Sequence, residues 1–298
     1  MPPKRKAAES ATERTTKTRR ASAKEAPAAK PSKSAPATKK GAKDNTKATT
    51  TPSGLDPTTF TLERVQAMFD RYTDEDDSNI IGAEGMERLC TDASVPMDGA
   101  LPLLITWSVN AKTLGTITRS EFTDSFGKLK IDTPEKMALM ALDLNFLFFG
   151  YNITEQASRM SLANNRQDSD AYDRTQLRSY QRNAESAYAK FYSFCFVLVK
   201  PPQSRNIDME TAAAFWSVIL APKYPIAGEL LEFVTEKGTY KAVTKDLWSM
   251  TLEFCKTVQP DLTGYDEEEA AWPTLLDDFI EWKKVKATAN TDDAVMSD

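Results

Sequence analysis

From Thr59 onward, apolar residues recur at three- and four-residue steps, the period of helices that bury one face. Leu62, Val65, Phe69 and Tyr72 form the first stripe. "KMALMALDLNFLFF" and "YAKFYSFCFVLV" are apolar on most sides, and Ala212, Phe215, Trp216, Ile219 and Leu220 mark another helix. "PIAGELLEFVTEKG" closes at Gly238, while Trp248, Leu252, Cys255 and Val258 share one stripe. Leu275, Leu276, Phe279 and Ile280 follow Pro273, a first-turn proline. Asp208 and Thr244 stand where N-caps belong. No segment alternates as a strand would, so the expected fold class is all-α.

The pattern breaks in two places. The first 54 residues contain no aromatic, Leu, Ile or Val and cannot bury enough apolar surface to offset chain entropy, so they read as a disordered basic tail. Residues 151–183 are polar and irregular, and read as an insertion or hinge between two helical subdomains, 57–150 and 184–286. The first subdomain is expected to be EF-hand-like with degenerate loops and the second a helical bundle, with 287–298 as a short disordered tail.

Charge separates the same regions. Residues 1–54 hold 14 Lys and Arg against 4 Asp and Glu, leaving 24 basic and 39 acidic residues for the remainder. The overall net charge of −5 therefore combines two segments suited to opposite partners. The sequence shows no leader and no membrane-spanning run, so a soluble, intracellular protein is expected. Cys90, Cys195 and Cys255 have no C-x-x-C spacing and read as core thiols in a reducing compartment. The chain has no histidine, which removes the usual general base and every Ser/His or Cys/His nucleophile pair. A thiol enzyme is correspondingly disfavoured, since nothing is available to activate the sulfur.

Two loops carry half of a calcium pattern each. "DEDDSNIIGAEG" places Asp74, Asp76 and Ser78 at ligand positions 1, 3 and 5, but Gly85 replaces the bidentate Glu at position 12. "NAKTLGTITRSE" has Gly115 and Glu121 in place, but Lys112 and Leu114 occupy ligand positions. These loops predict an EF-hand-like scaffold with no metal site and no cofactor.

"YDEEEAAWPTLLDDFIEW", residues 265–282, concentrates seven carboxylates and two tryptophans. Two readings stand: a solvated acidic face on an amphipathic helix, or a surface that holds a basic partner. Nothing separates one carboxylate from its neighbours as a paired-acid hydrolase requires.

These residues also resemble a known family. "NIDMETAAAFWSVIL", "TKDLWSMTLEFC" and "GYDEEEAAWPTLLDDFIEW" look like the C-terminal half of the PONY (potentiating neddylation) domain of the defective-in-cullin-neddylation (DCN1-like) proteins. "MFDRYTDEDDSNIIGAEGMERLC" and "LLITWSV" resemble its N-terminal half. The resemblance spans nearly all of residues 59–284 and implies a PONY domain at 55–286.

The resemblance implies a non-catalytic, scaffold-type ligase component that promotes cullin neddylation. The family's cullin-docking patch falls on Asp246, Ala271 and Asp277, facing a basic cullin C-terminal winged-helix domain. Its pocket for the acetylated N-terminus of the ubiquitin-like-modifier conjugating enzyme falls on Ile105, Leu114, Ile117, Leu198, Phe215 and Val218. A RING-box protein is a further implied partner. Some members begin with a ubiquitin-associated domain, whereas this chain opens on the basic segment, so ubiquitin binding through such a domain is not expected.

"PPKRK" suits nuclear import, giving an expected distribution over nucleus and cytoplasm. Two alternatives remain: a calcium-responsive EF-hand protein, and a chromatin- or RNA-associated adaptor acting through the basic tail. The tail lacks aromatic residues to stack on bases, which counts against nucleic acid.

Overall fold

The computed structural model describes residues 59–150, 172–266 and 272–295, with side chains of the last helix described through Thr288. The expectations for residues 1–54, for 151–171 and for Ala271 lie outside the described residues.

The first half consists of two helix–loop–strand–helix units. The first unit is α1 (Leu62–Tyr72), β1 (Ile80–Ile81) and α2 (Ala83–Asp92); the second is α3 (Leu101–Ser108), β2 (Ile117–Thr118) and α4 (Arg119–Leu129). Val65, Phe69 and Tyr72 are buried as the periodicity requires, whereas Leu62, in the first turn of α1, is exposed. β1 and β2 pair antiparallel, with Ile81 opposite Ile117 and both side chains in the core.

The chain's own groups close the two loops. Asp74 Oδ1 accepts the Gly82 N–H at 2.9 Å. Glu121 accepts from the Thr118 N–H at 2.9 Å and from the Lys112 N–H at 3.2 Å, completing a capping box at the start of α4. Arg119 reaches the Ser78 carbonyl at 2.6 Å and pairs with Asp70 at 2.7 Å. The carboxylates at ligand positions 1 and 12 are thus engaged by backbone donors. Among the described residues, no group of three or more His, Cys, Asp or Glu is arranged to hold a metal ion.

The second half repeats this plan. α7 (Ala184–Val199) leads through β3 (Asn206–Asp208) into α8 (Met209–Ile219), and α9 (Pro225–Lys237) leads through β4 (Ala242–Thr244) into α10 (Lys245–Thr257). Ile207 lies opposite Val243, both buried. Asp208 and Thr244 end their strands and cap the following helices, accepting from Thr211 at 2.7 Å and Leu247 at 3.0 Å. Among the described residues the fold is all-α apart from these two ladders and an isolated bridge between Thr113 and Thr116. The sequence reading found no strands because segments of two or three residues, running straight into a cap, offer no alternation to detect.

Two boundaries differ from expectation. Residues 172–183 are packed structure: the Tyr172 hydroxyl donates to Asp143 at 2.8 Å, Arg174 Nε donates to the same carboxylate at 2.9 Å, and the Asp173 N–H donates to the Leu129 carbonyl at 2.7 Å. A short helix, α6 (Thr175–Gln181), then stacks Tyr180 on Trp107 at 5.1 Å. One buried Leu and one aromatic suffice to anchor seven residues whose composition is otherwise polar. The last helix, α11 (Thr274–Val295), continues beyond residue 286, through Lys- and Ala-containing sequence compatible with helix propagation.

α5 (Pro134–Phe149) joins the two halves. Its Phe148 stacks on Phe191 of α7 at 5.7 Å, and Trp107 of α3 meets Phe191 edge-on at 5.6 Å. The described residues form one compact unit with a common aromatic core.

Candidate protein-docking site

The part of the acidic stretch from Trp272 onward is held by aromatic packing from beneath. Phe254 of α10 meets Trp272 edge-on at 5.4 Å and Phe279 of α11 at 5.9 Å. Phe279 also stacks on Trp282 at 6.1 Å and contacts Phe233 of α9 at 5.7 Å. Leu275, Leu276 and Ile280 complete the buried face. The period-3.6 geometry then turns Asp277, Asp278 and Glu281 away from the core.

Just after α10, residues 259–264 make a tight turn. The Gln259 N–H donates to the Thr263 carbonyl at 2.9 Å, and Gly264 has φ +89. A side chain at Gly264 would place its Cβ 2.3 Å from the Thr257 carbonyl oxygen, so only glycine fits. This turn presents Tyr265, whose hydroxyl donates to Asp277 Oδ1 at 3.0 Å. Tyr240, just before β4, donates similarly to Asp278. Burial raises the Tyr240 pKa far above its ordinary value, with the Asp278 carboxylate adding to the shift. Both half-buried carboxylates are oriented by phenols.

Asp246 is exposed in the first turn of α10, where a carboxylate complements the helix dipole. Asp246 and Asp277 therefore sit on two helices joined through Phe254. Ala271, the third residue of the implied patch, lies outside the described residues. Further along α11 the charge changes sign, but Lys283 and Lys286 pair with Glu229 and Glu232 of α9. Those lysines tie the helix down and leave the acidic character at its N-terminal end.

The six residues of the implied conjugating-enzyme pocket occupy different environments. Ile105, Ile117 and Leu198 are core residues, while Leu114 is 49% exposed in its loop. Phe215 and Val218, on α8, are partly buried against the core. Val218 also lines a groove of about 480 Å³ with Gly99, Ala100, Asn145, Phe149 and Ala221, where α3, α5 and α8 meet. The sequence reading found Val218 but not the rest of this groove. Phe149 falls at the end of a helix that is apolar on most sides, so periodicity could not single it out.

Residues 170–282 match the family described as Cullin binding. DCN1-like protein 4 of Danio rerio is 30% identical over 225 residues, covering 76% of this chain and 67% of that protein. The chain belongs to the DCN1-like family. Human DCN1-like protein 5 is 29% identical over 230 residues, covering 77% of this chain and 81% of its own length. Drosophila melanogaster DCN1-like protein 4 is 27% identical over 232 residues. The similarity to these DCN1-like proteins extends well beyond the Cullin binding segment, which contains α6 to α10, the phenol-oriented carboxylates and most of the aromatic platform.

The thiols lie apart from this surface chemistry. Cys90, Cys195 and Cys255 are buried. Burial raises Cys90 to about 11 and Cys255 to about 12, and pushes Cys195 up further still. At neutral pH all three are protonated, and none has the electropositive, accessible surroundings that make a cysteine nucleophilic.

Proposed function

We propose that this DCN1-like chain is a non-catalytic, scaffold-type ligase component that promotes cullin neddylation. Its acidic surface on α10 and α11 receives the basic winged-helix domain of a cullin, with Asp246 and Asp277 as principal contacts and Ala271 as the third position that the family resemblance assigns. The observation carrying this reading is the overlap of the Cullin binding match with Asp277 and Asp278, two carboxylates oriented by phenols over a rigid aromatic platform. Preoriented charge of this kind favours fast, selective capture of a basic partner.

The modifier-conjugating enzyme binds through its acetylated N-terminus, entering the apolar groove beside Val218. Of the six residues that the family resemblance assigns to this contact, Val218 lines the groove; Ile105, Leu114, Ile117, Leu198 and Phe215 complete the assignment. A RING-box protein completes the assembly, which operates in nucleus and cytoplasm. The chain contributes orientation and not bond-making, consistent with its protonated, buried thiols and its lack of histidine.

Calorimetric titration with a cullin winged-helix domain tests the docking surface. Asp246→Lys and Asp277→Lys should each weaken binding by tenfold or more, about 1.4 kcal/mol, whereas Asp124→Lys, at an exposed position of α4, should change little. Equal effects from all three would reduce the interaction to nonspecific charge and remove the assigned patch.

A further inference from the structure

One buried hydroxyl joins the two helices to which the preceding reading assigns different partners. Tyr192 of α7 is wholly inside the core, between α8 and α10. Its oxygen accepts from Trp216 Nε1 of α8 at 2.9 Å and donates to the Trp248 carbonyl of α10 at 2.8 Å. Trp248 Nε1 returns a bond to the Tyr192 carbonyl at 3.0 Å. The Tyr192 and Trp248 rings stack at 4.7 Å, and the two indoles at 5.7 Å. Trp216 stands between Phe215 and Val218, while Trp248 lies one half-turn after Asp246.

Apolar packing alone does not require this hydroxyl. Phenylalanine would fill nearly the same volume and preserve the ring stack, so the oxygen chiefly contributes direction. A satisfied polar network in a dry core selects one arrangement of its helices, whereas apolar contacts tolerate several. Here the selected arrangement is that of α8 relative to α10.

We propose that Tyr192 is a positioning residue for modifier transfer: its hydroxyl fixes the angle between the conjugating-enzyme side and the cullin side of the scaffold. The proposal rests on the functional reading above. Neither partner touches Tyr192, so the hydroxyl acts on their mutual geometry and not on either contact surface. Transfer between two bound macromolecules depends steeply on that geometry.

The test compares full-length wild type with Tyr192→Phe and Trp216→Phe, which remove the acceptor and its α8 donor respectively. Four quantities are read below each variant's melting transition: thermal midpoint, affinity for a cullin winged-helix domain, affinity for an acetylated conjugating-enzyme N-terminal peptide, and the transfer rate with both partners saturating. Both variants should keep each affinity within about twofold while the saturated rate falls about fivefold or more. An unchanged rate in a folded variant overturns the positioning role. So does a rate loss matched by weakened affinities, which would make the network ordinary core. If Tyr192→Phe does not fold, the same criteria apply to Trp216→Phe, and failure of both to fold assigns the network to stability alone. Wild type that binds neither partner refutes the underlying functional reading itself, an outcome distinguishable because it needs no variant.

Discussion

Tyr265 donates its hydroxyl hydrogen to Asp277 at 3.0 Å, so the loop leaving α10 orients a carboxylate on α11. This bond connects the Gly264 turn to the surface assigned to cullin docking. Removing the phenol oxygen should cost about 1 kcal/mol of stability, the usual net value of one hydrogen bond. Tyr265→Phe should therefore unfold at slightly lower urea concentration and bind the cullin domain a few-fold more weakly. Gly264→Ala should be more damaging, because the Thr257 carbonyl occupies the space its Cβ needs. Urea titration of both variants checks the order.

The two loops that each carry half of a calcium pattern should be insensitive to calcium. Asp74 and Glu121, at the first and last ligand positions, already accept from the Gly82, Thr118 and Lys112 N–H groups. Thermal midpoints in millimolar calcium and in chelator should coincide. Glu121→Ala, which removes the capping box, should lower stability by about 1 kcal/mol in either condition. A calcium-dependent midpoint would revive the sensor reading.

Alkaline pH should destabilise the fold. Burial raises Cys90 to about 11 and Cys255 to about 12 from 9.0, and Tyr72 and Tyr224 to about 12 from 10.0. Each group is neutral when protonated and holds its proton more tightly when folded. The unfolded chain therefore loses protons first, and the associated stability is complete below pH about 9 and declines as pH rises toward the folded pKa values. Urea midpoints measured between pH 7 and 11 should fall only over the upper part of that range. The thiols should resist alkylation at pH 8 in the native protein and react in denaturant.

Residues 151–171 should be dispensable for folding. Residues 151–171 leave from Gly150, and the chain is held again at Tyr172 by Asp143, seven residues earlier on the same helix. Seven helical residues span about 10 Å, a gap that six flexible residues cross easily. Replacing 151–171 with six Gly/Ser residues should leave the thermal midpoint within a few degrees. Loss of the cooperative transition would show that the segment contributes to the core.

Most of the helices were legible because their apolar stripes are long. Trp248, Leu252, Cys255 and Val258 lie buried where the period places them, and Asp208 and Thr244 cap the helices they precede. The ladders around Ile81 and Val243 were not legible, since a strand this short has no pattern of its own and exists through its partner. α6 was hidden for a similar reason: Tyr180 gains its meaning from Trp107, and Leu177 from Leu129, Met140 and Leu144, all far away in sequence. For the site, charge density pointed to residues 265–282. The phenols that orient Asp277 and Asp278 come from two other loops, a relationship that spacing along one helix cannot reveal. The groove beside Val218 is likewise a product of three helices meeting.

The most direct measurement is the rate of cullin modification in a reconstituted reaction containing activating enzyme, conjugating enzyme, modifier and cullin. It should be run without this protein, with the full wild-type chain, and with Asp277→Lys. Wild type should accelerate transfer, and the folded Asp277→Lys chain should return the rate to the unassisted level. Equal acceleration by both chains would contradict docking through Asp277, and no acceleration by folded wild type would contradict the scaffold function itself.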